Sequence, residues 1–125
     1  CSMKAKKIAK KIAKSLNVIG IIAIEMFVCD DEKILVNEIA PRPHNSGHWT
    51  IDACNISQFE ALVRTIFEMP IPKIKYFHKC KMINILGDNI GYINKVLNKP
   101  NYIVHLYGKS EIRPLRKLGH INIID

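Results

Sequence analysis

The sequence predicts an α+β fold in two parts, residues 1–69 and 73–125. Apolar side chains recur at helical spacing in two segments, and two short β-rich runs lie between those segments. After Pro70 and Pro72 the sequence changes to short apolar runs punctuated by glycine and proline, which is typical of a small β-rich unit. At 125 residues and 48% apolar content, the chain can bury one core or slightly more.

The first predicted element is an amphipathic helix over residues 3–16. Alanine, isoleucine and leucine occupy one stripe of it and six lysines occupy the other positions. Such a helix can lie on a membrane, but it contains no aromatic anchor. Packing of the apolar stripe on a sheet, with the lysines solvated, is the favoured interpretation.

Residues 21–29 and 34–39 are predicted to form a hairpin closed by the polar tetrapeptide at 30–33. A turn centred between Asp31 and Glu32 fixes the register. The predicted pairs are Cys29 with Ile34, Phe27 with Val36, and Glu25 with Glu38.

In this register Glu25 and Glu38 face each other with Cβ atoms about 5 Å apart. Two charges about 4 Å apart repel by ~4 kcal/mol at an effective dielectric near 20, so the pair indicates a shared proton or a bound cation. Oxygen ligands favour Mg²⁺ with nucleotide phosphates. A slipped register would instead leave one glutamate solvated. Asn37 faces the other side of an ideal strand, although a bulge could return its amide to the glutamate side.

Residues 37–49 then hold a dense polar segment in which two prolines and a glycine exclude a long helix. Arg42 can hold a bicarbonate or phosphoryl oxygen through two donors, although a loop braced by its own hydrogen bonds is an alternative. His44 and His48 have zinc-like spacing, but without a helix zinc is disfavoured. Trp49 is expected to be a packing anchor.

The remaining elements are a helix over residues 58–68 and a β-rich second part. Ser57 and Glu60 have capping-box spacing before that helix. One further helix is expected near residues 88–97.

Charge and cysteine usage limit the functional classes. Nineteen basic and eleven acidic residues give a net charge of +8, which suits anionic partners or reflects a background composition. The four cysteines have no Cys-x-x-Cys spacing, so reduced thiols in a cytoplasmic protein are expected. No stretch is long enough to span a membrane or to act as a secretion signal. A chain that starts at Cys1 is expected to be a piece of a longer protein.

Several strings resemble those of one enzyme family in the same order. They are Ala23–Val28, Val36–Thr50, Ser57–Glu60, Met82–Gly87, His105–Lys109 and Arg113–His120. The family is that of the ATP-grasp enzyme N5-carboxyaminoimidazole ribonucleotide synthetase, the ATPase subunit of phosphoribosylaminoimidazole carboxylase in purine biosynthesis. The sibling formate-dependent glycinamide ribonucleotide transformylase is the alternative, but the Asn-Ser-Gly-His-Trp string at 45–49 favours the synthetase.

The resemblance implies the C-terminal part of an ATP-grasp domain followed by a small C-terminal domain. Glu25 and Glu38 would then bind Mg²⁺ on the ATP phosphates, with Asn37 beside them. The place where many ATP-grasp enzymes carry a further asparagine is Ala40 here. The full-length protein would be a homodimer, and this piece alone would be inactive.

Substrate binding is also implied by the resemblance. Arg42, His44 and Asn45 would surround bicarbonate and the carboxyphosphate formed from it. Lys109 and Arg116 would hold the 5′-phosphate of aminoimidazole ribonucleotide. Leu115 stands where the family usually has glycine, so a shifted turn is expected there.

A small basic nucleic-acid-binding module is the rival from another class. It rests on the net charge and the β-rich second part, and it requires exposed aromatic side chains among the basic groups. Phe59 and Phe67 are expected on the apolar face of the second helix instead.

Overall fold

A computed structural model describes residues 2–125, so the expectation attached to Cys1 lies outside the described residues. The residues fall into two compact units. Unit 1 holds the residues up to His48 together with Ile56–Lys73, and unit 2 holds Trp49–Asn55 together with Ile74–Asp125. Both helix and sheet are present, which confirms the α+β prediction.

Unit 1 contains two helices and one hairpin. Their bounds are α1 Ser2–Ser15, β1 Ala23–Val28, β2 Ile34–Ala40 and α3 Gln58–Ile66, with a 3₁₀ helix at Asn45–Gly47. The apolar stripe of α1 is half-buried while its lysines are exposed, as the spacing predicts. Ser57 caps α3, its Oγ accepting a hydrogen bond from the Glu60 N–H at 3.1 Å.

The hairpin pairs Glu25 with Glu38, as predicted, but it does so through a different turn. Near the turn Val28 pairs with Ile34 and Phe27 with Leu35, so the predicted pairs of Cys29 with Ile34 and Phe27 with Val36 are wrong.

The turn and a bulge explain how the glutamates still meet. The Cys29 N–H donates to the Lys33 carbonyl at 2.9 Å, and Glu32 has φ +56, so the loop holds one residue more than expected on the β1 side. A register shift between Glu25 and Met26 then adds one residue, Asn37, on β2. The two one-residue offsets cancel, which restores the predicted facing of the two carboxylates.

Unit 2 contains the short helix α2 Thr50–Ala53 and a three-stranded antiparallel sheet in the order β3-β5-β4. The strands are β3 Cys80–Leu86, β4 Tyr102–Leu106 and β5 Lys117–Ile124. A 3₁₀ helix at Gly87–Tyr92 and α4 Ile93–Val96 lie where the sequence predicts one helix. The core joins the central strand to α4 and consists of Ile85, Val96, Leu118 and Ile121.

A buried polar network attaches α2 to the sheet of unit 2. Oδ2 of Asp52 lies 2.8 Å from Nε2 of His105 and accepts a hydrogen bond from Nδ2 of Asn122 at 2.6 Å. The His105 ring stacks on that of His120 with centroids 4.6 Å apart, and Nδ1 of His120 lies 2.8 Å from the Tyr107 hydroxyl. This network, together with the backbone bridge between Cys54 and Tyr76, joins residues 49–55 to unit 2.

Trp49 stacks on Tyr76 within unit 2, with ring centroids 5.9 Å apart. Among the residues that the structure describes, none of the helices has the length and apolar character needed to cross a membrane.

Candidate active site

The two carboxylates that face each other across the hairpin form the centre of the candidate site in unit 1. Their side chains keep 41% exposure at Glu25 and 47% at Glu38, so their oxygens can reach a ligand. The bulge turns Asn37 toward them, and its Nδ2 donates to Oε2 of Glu25 at 3.2 Å. The side chains of Glu25, Asn37 and Glu38 therefore all point to one face of the hairpin, and their oxygen donors suit a hard cation.

His44 faces both carboxylates from the loop that follows β2. Its Nε2 lies 3.7 Å from Oε1 of Glu25 and 3.9 Å from Oε1 of Glu38, and its side chain is only 11% exposed. The other ring nitrogen, Nδ1, accepts a hydrogen bond from the Ser46 N–H at 3.3 Å, so His44 caps the 3₁₀ helix with its own ring. An accepting Nδ1 places the hydrogen of the neutral ring on Nε2, where it points to the glutamates.

Arg42 adds an exposed positive charge beside the same pair. Its guanidinium lies 3.8 Å from Oε1 of Glu38 and donates to the Pro43 carbonyl at 3.1 Å. Since 63% of the side chain is exposed, the contact with Glu38 is weak and other donors of the guanidinium remain accessible. Arg42 can therefore hold both the carboxylate and a small anion.

Asn45 begins the 3₁₀ helix directly after His44, and its carbonyl accepts from the His48 N–H at 3.1 Å. The structure thus brings Glu25, Asn37, Glu38, Arg42 and His44 together on one side of unit 1, with Asn45 next in the chain. In the described part of the chain, no group of three or more histidine, cysteine, aspartate or glutamate side chains could hold a metal. Nδ1 of His44 contacts the Ser46 N–H, and Nδ1 of His48 lies 2.8 Å from Nε2 of Gln58.

The second predicted cluster lies in unit 2. Lys109 lines a small cleft of about 130 Å³ together with apolar side chains. Arg116 lies 3.4 Å from the carboxylate of Glu111, which also pairs with Arg113. Glu111 thus pairs with both Arg113 and Arg116, whose side chains remain accessible to solvent.

The turn before Arg116 differs from the family pattern in residue type but keeps a glycine-like backbone. Leu115 has φ +59, and the Arg116 N–H donates to the Arg113 carbonyl at 3.1 Å, which with Pro114 makes a type II turn. Asp88 supports it by accepting from the Leu115 N–H at 2.9 Å. A leucine in the left-handed region costs about 1 kcal/mol or slightly more, so the turn is kept at an energetic expense.

Two features of the structure were not predicted. Gln58, at the first turn of α3, contacts the backbone of His44 and the ring of His48. Asp52 bonds to residues 53 and 70 positions away. Sequence periodicity carries no signal for such contacts. The one available hint is that Gln58, the single glutamine in the sequence, directly follows the Ser57 cap.

Two family patterns match the chain, and together they define its class. The first, described as ATP-grasp domain, matches residues 1–59. The second, described as phosphoribosylaminoimidazole carboxylase C-terminal domain, matches residues 80–125. The chain therefore carries the end of an ATP-grasp domain followed by the C-terminal domain of that carboxylase.

Individual relatives give the same assignment. The chain is 42% identical over 124 residues to N5-carboxyaminoimidazole ribonucleotide synthase of Bacillus subtilis, covering 97% of this chain and 32% of the relative. It is 47% identical over 132 residues to phosphoribosylaminoimidazole carboxylase of Candida glabrata, covering 97% of this chain and 23% of the relative.

A solved structure agrees in fold. N5-carboxyaminoimidazole synthase of Aspergillus clavatus, in complex with ADP and 5-aminoimidazole ribonucleotide, superposes with a TM-score of 0.89 at 37% identity, covering 98% of this chain and 35% of that chain. The chain belongs to the N5-carboxyaminoimidazole ribonucleotide synthetase family and corresponds to its C-terminal portion. It spans about one third of the length of the bacterial relative.

Proposed function

We propose that the full-length protein containing this chain is an ATP-dependent ligase of purine biosynthesis. It would carboxylate 5-aminoimidazole ribonucleotide with bicarbonate and release ADP and phosphate. The observation that carries the proposal is the glutamate pair across the bulged hairpin, with Asn37, Arg42 and His44 converging on it. Membership of the family supplies the reaction class.

Glu25 and Glu38 would hold Mg²⁺ between the protein and the ATP phosphates, with Asn37 beside the nucleotide. The fit rests on two half-exposed carboxylates that face each other and offer oxygen donors only. When bound, the ion offsets negative charge on the transferring phosphoryl group. Asn37 orients the Glu25 carboxylate by donating to Oε2, which leaves Oε1 for other contacts.

Arg42, His44 and Asn45 would form the bicarbonate side of the site. The guanidinium provides paired donors for a planar oxyanion, and the Nε2–H of His44 provides another donor close to the glutamates. These donors would hold bicarbonate while it is phosphorylated to carboxyphosphate. Their fixed positions lower the entropic part of the barrier.

Lys109 and Arg116 would bind the 5′-phosphate of aminoimidazole ribonucleotide. A lysine contributes a point charge and an arginine contributes a planar fork, which together suit a phosphate monoester. Arg116 would exchange its contact with Glu111 for one with the incoming phosphate.

We place the domain boundary at residues 69–73, so that 1–69 ends the ATP-grasp domain and 73–125 forms the C-terminal domain. The full-length protein is proposed to be a cytoplasmic homodimer. Since about two thirds of the relatives' length lies outside this chain, the 125 residues alone should lack activity. Detecting ATP hydrolysis stimulated by aminoimidazole ribonucleotide with this chain alone would contradict that expectation.

The proposal is tested by the substitution Glu38→Gln in the full-length protein. Loss of one carboxylate of the pair should weaken Mg·ATP binding at least about tenfold in titration calorimetry. Glu32→Gln is the matched control, because Glu32 lies in the exposed turn of the same hairpin. Equal Mg·ATP affinity in the Glu38→Gln protein and the control would refute the assignment of the metal site.

The nucleic-acid-binding alternative keeps one supporting observation. Tyr76 and Phe77 are 70% and 62% exposed next to Lys75 and His78, which is the aromatic and basic mixture that such a module needs. Salt-dependent RNA binding that survives loss of both Glu25 and Glu38 would favour this alternative. Family membership makes the ligase the first candidate.

A further inference from the structure

Gln58 connects the first turn of α3 to the loop that carries the proposed bicarbonate site. Its Oε1 accepts from the His44 N–H at 2.9 Å, and its Nε2 donates to the His44 carbonyl at 2.8 Å. The same Nε2 lies 2.8 Å from Nδ1 of His48. One side-chain amide therefore contacts both the N–H and the carbonyl of His44 and also the ring of His48.

We propose that Gln58 is a positioning residue, which aims the His44 ring at the glutamate pair by holding the His44 backbone. The chemical consequence rests on the proposed function, whereas the positioning itself rests on geometry alone. The contacts described above connect Gln58 to the glutamates through His44, which makes it a positioning residue.

An amide is the group that this contact requires. The His44 backbone presents one donor and one acceptor, and both are part-buried in their contact with Gln58. A glutamine side chain supplies the complementary acceptor and donor at once, while a carboxylate supplies only acceptors and a methionine supplies no strong partner. Loss of either bond would leave a shielded backbone group unpaired, which is unfavourable.

The backbone of Gln58 is also held in place, by the start of α3. Ser57 caps α3 one position earlier, so the backbone that carries Gln58 begins an ordered helix. Phe59, one position later, stacks on the His48 ring with centroids 5.3 Å apart. Two successive residues of α3 thus contact the loop from a rigid element, which favours a fixed loop conformation.

Gly47 shows how closely the loop approaches the amide. A Cβ at Gly47 would lie 2.5 Å from Oε1 of Gln58 and 2.8 Å from its Cδ. Any larger residue there would displace the side chain of Gln58. The contact between the loop and the Gln58 amide therefore requires glycine at position 47 as well as glutamine at position 58. Each residue can be tested separately.

The orientation of His44 follows from this backbone contact. With φ −129 and ψ 151, His44 is extended, and its ring folds over to cap the 3₁₀ helix through the Ser46 N–H. The ring therefore has one nitrogen committed to the loop and the other facing Glu25 and Glu38. A shift of the His44 backbone would move Nε2 relative to both carboxylates.

The test compares Gln58→Met with Glu60→Met in the full-length protein. Both changes place methionine in the first turn of α3, but Glu60 contacts Arg64 rather than the loop. We expect Gln58→Met to raise KM for bicarbonate or lower kcat at least tenfold, with KM for ATP and for aminoimidazole ribonucleotide within twofold. An equal loss of kcat/KM for all three substrates, seen also in Glu60→Met, would overturn the positioning role.

A second readout does not depend on activity. In the full-length protein labelled with ¹⁵N-histidine, long-range NMR spectra report the tautomers of His44 and His48. Gln58→Met should change the nitrogen shifts of both rings, while Glu60→Met should not. Unchanged His44 shifts would overturn the proposal even if the proposed reaction is absent, so failure of the reaction and failure of the positioning are separable.

Gly47→Ala covers the case in which Gln58→Met does not fold. It keeps the glutamine at position 58, but the added Cβ pushes the side-chain amide of Gln58 away from the loop. The same selective rise in KM for bicarbonate and the same change in the His44 shifts are expected. Wild-type behaviour of Gly47→Ala in both measurements would contradict the proposal.

Discussion

The Asp52 carboxylate is expected to contribute strongly to the stability of unit 2. It lies 2.6 Å from the amide of Asn122 and 2.8 Å from His105, and its side chain is only 11% exposed. Asn122 is fully buried, and its Oδ1 has no hydrogen-bond partner within residues 2–125. Asp52→Ala would therefore leave both polar atoms of that amide unpaired.

The magnitude follows from the two bonds. Hydrogen bonds to a charged group contribute about 1.5–3 kcal/mol each, and relief of the desolvation of Asp52 offsets part of their sum. We expect Asp52→Ala to lower the free energy of unfolding by about 3–5 kcal/mol. Asp52→Asn keeps one acceptor and should lower it by about half as much.

Urea unfolding of the 125-residue chain can measure this effect. Trp49 is the only tryptophan and lies in unit 2 against Tyr76, so its fluorescence reports that unit. With a slope near 2 kcal/mol per M, the midpoint should fall by about 2 M. Asp30→Ala is the matched control, because Asp30 is exposed in the hairpin turn. A loss below about 1 kcal/mol for Asp52→Ala, or one equal to the control, would refute the reasoning.

Three further predictions concern unit 2. Burial raises the pKa of the Cys54 and Cys80 thiols above the ordinary value of 9.0. The folded chain then binds more protons than the unfolded chain above about pH 9, so the free energy of unfolding should fall as pH rises through that range, and alkylation of both thiols should be faster in urea. Leu115→Gly should be more stable than Leu115→Ala by about 1 kcal/mol in the same urea assay, because only glycine accepts φ +59 freely; equal stabilities would contradict a left-handed turn. Arg116→Lys in the full-length protein should raise KM for aminoimidazole ribonucleotide about tenfold through loss of the fork, and an equal rise in KM for ATP would argue against a phosphate contact.

The elements that depend on local pattern were predicted well. Helices α1 and α3, the Ser57 cap and the hairpin strands follow from apolar spacing and turn residues, which act over a few positions. The facing of Glu25 and Glu38 agrees with the prediction, but the structure reaches it through two one-residue offsets that cancel. The predicted pairs near the turn were wrong, because the loop length and the Asn37 bulge each shift the register by one residue.

The candidate site was only partly predictable for a related reason. The motif strings identified Arg42, His44 and Asn45, but only folding could bring the Gln58 amide, fourteen positions away, against the His44 backbone. Backbone donors and acceptors are the same at every residue, so no sequence pattern specifies which of them a distant side chain will contact.

By itself, then, the sequence determined the family, the α+β class and the two hairpin strands that carry the glutamates. The tertiary structure alone decided that Asn37 turns back toward Glu25, that Gln58 holds His44, and that Asp52 ties residues 49–55 to the sheet of unit 2. The physical reason is range. Periodicity and turn chemistry act between neighbours, whereas these three contacts form only when packing brings a hydrogen-bonding group to a partner 12, 14 or 70 residues away.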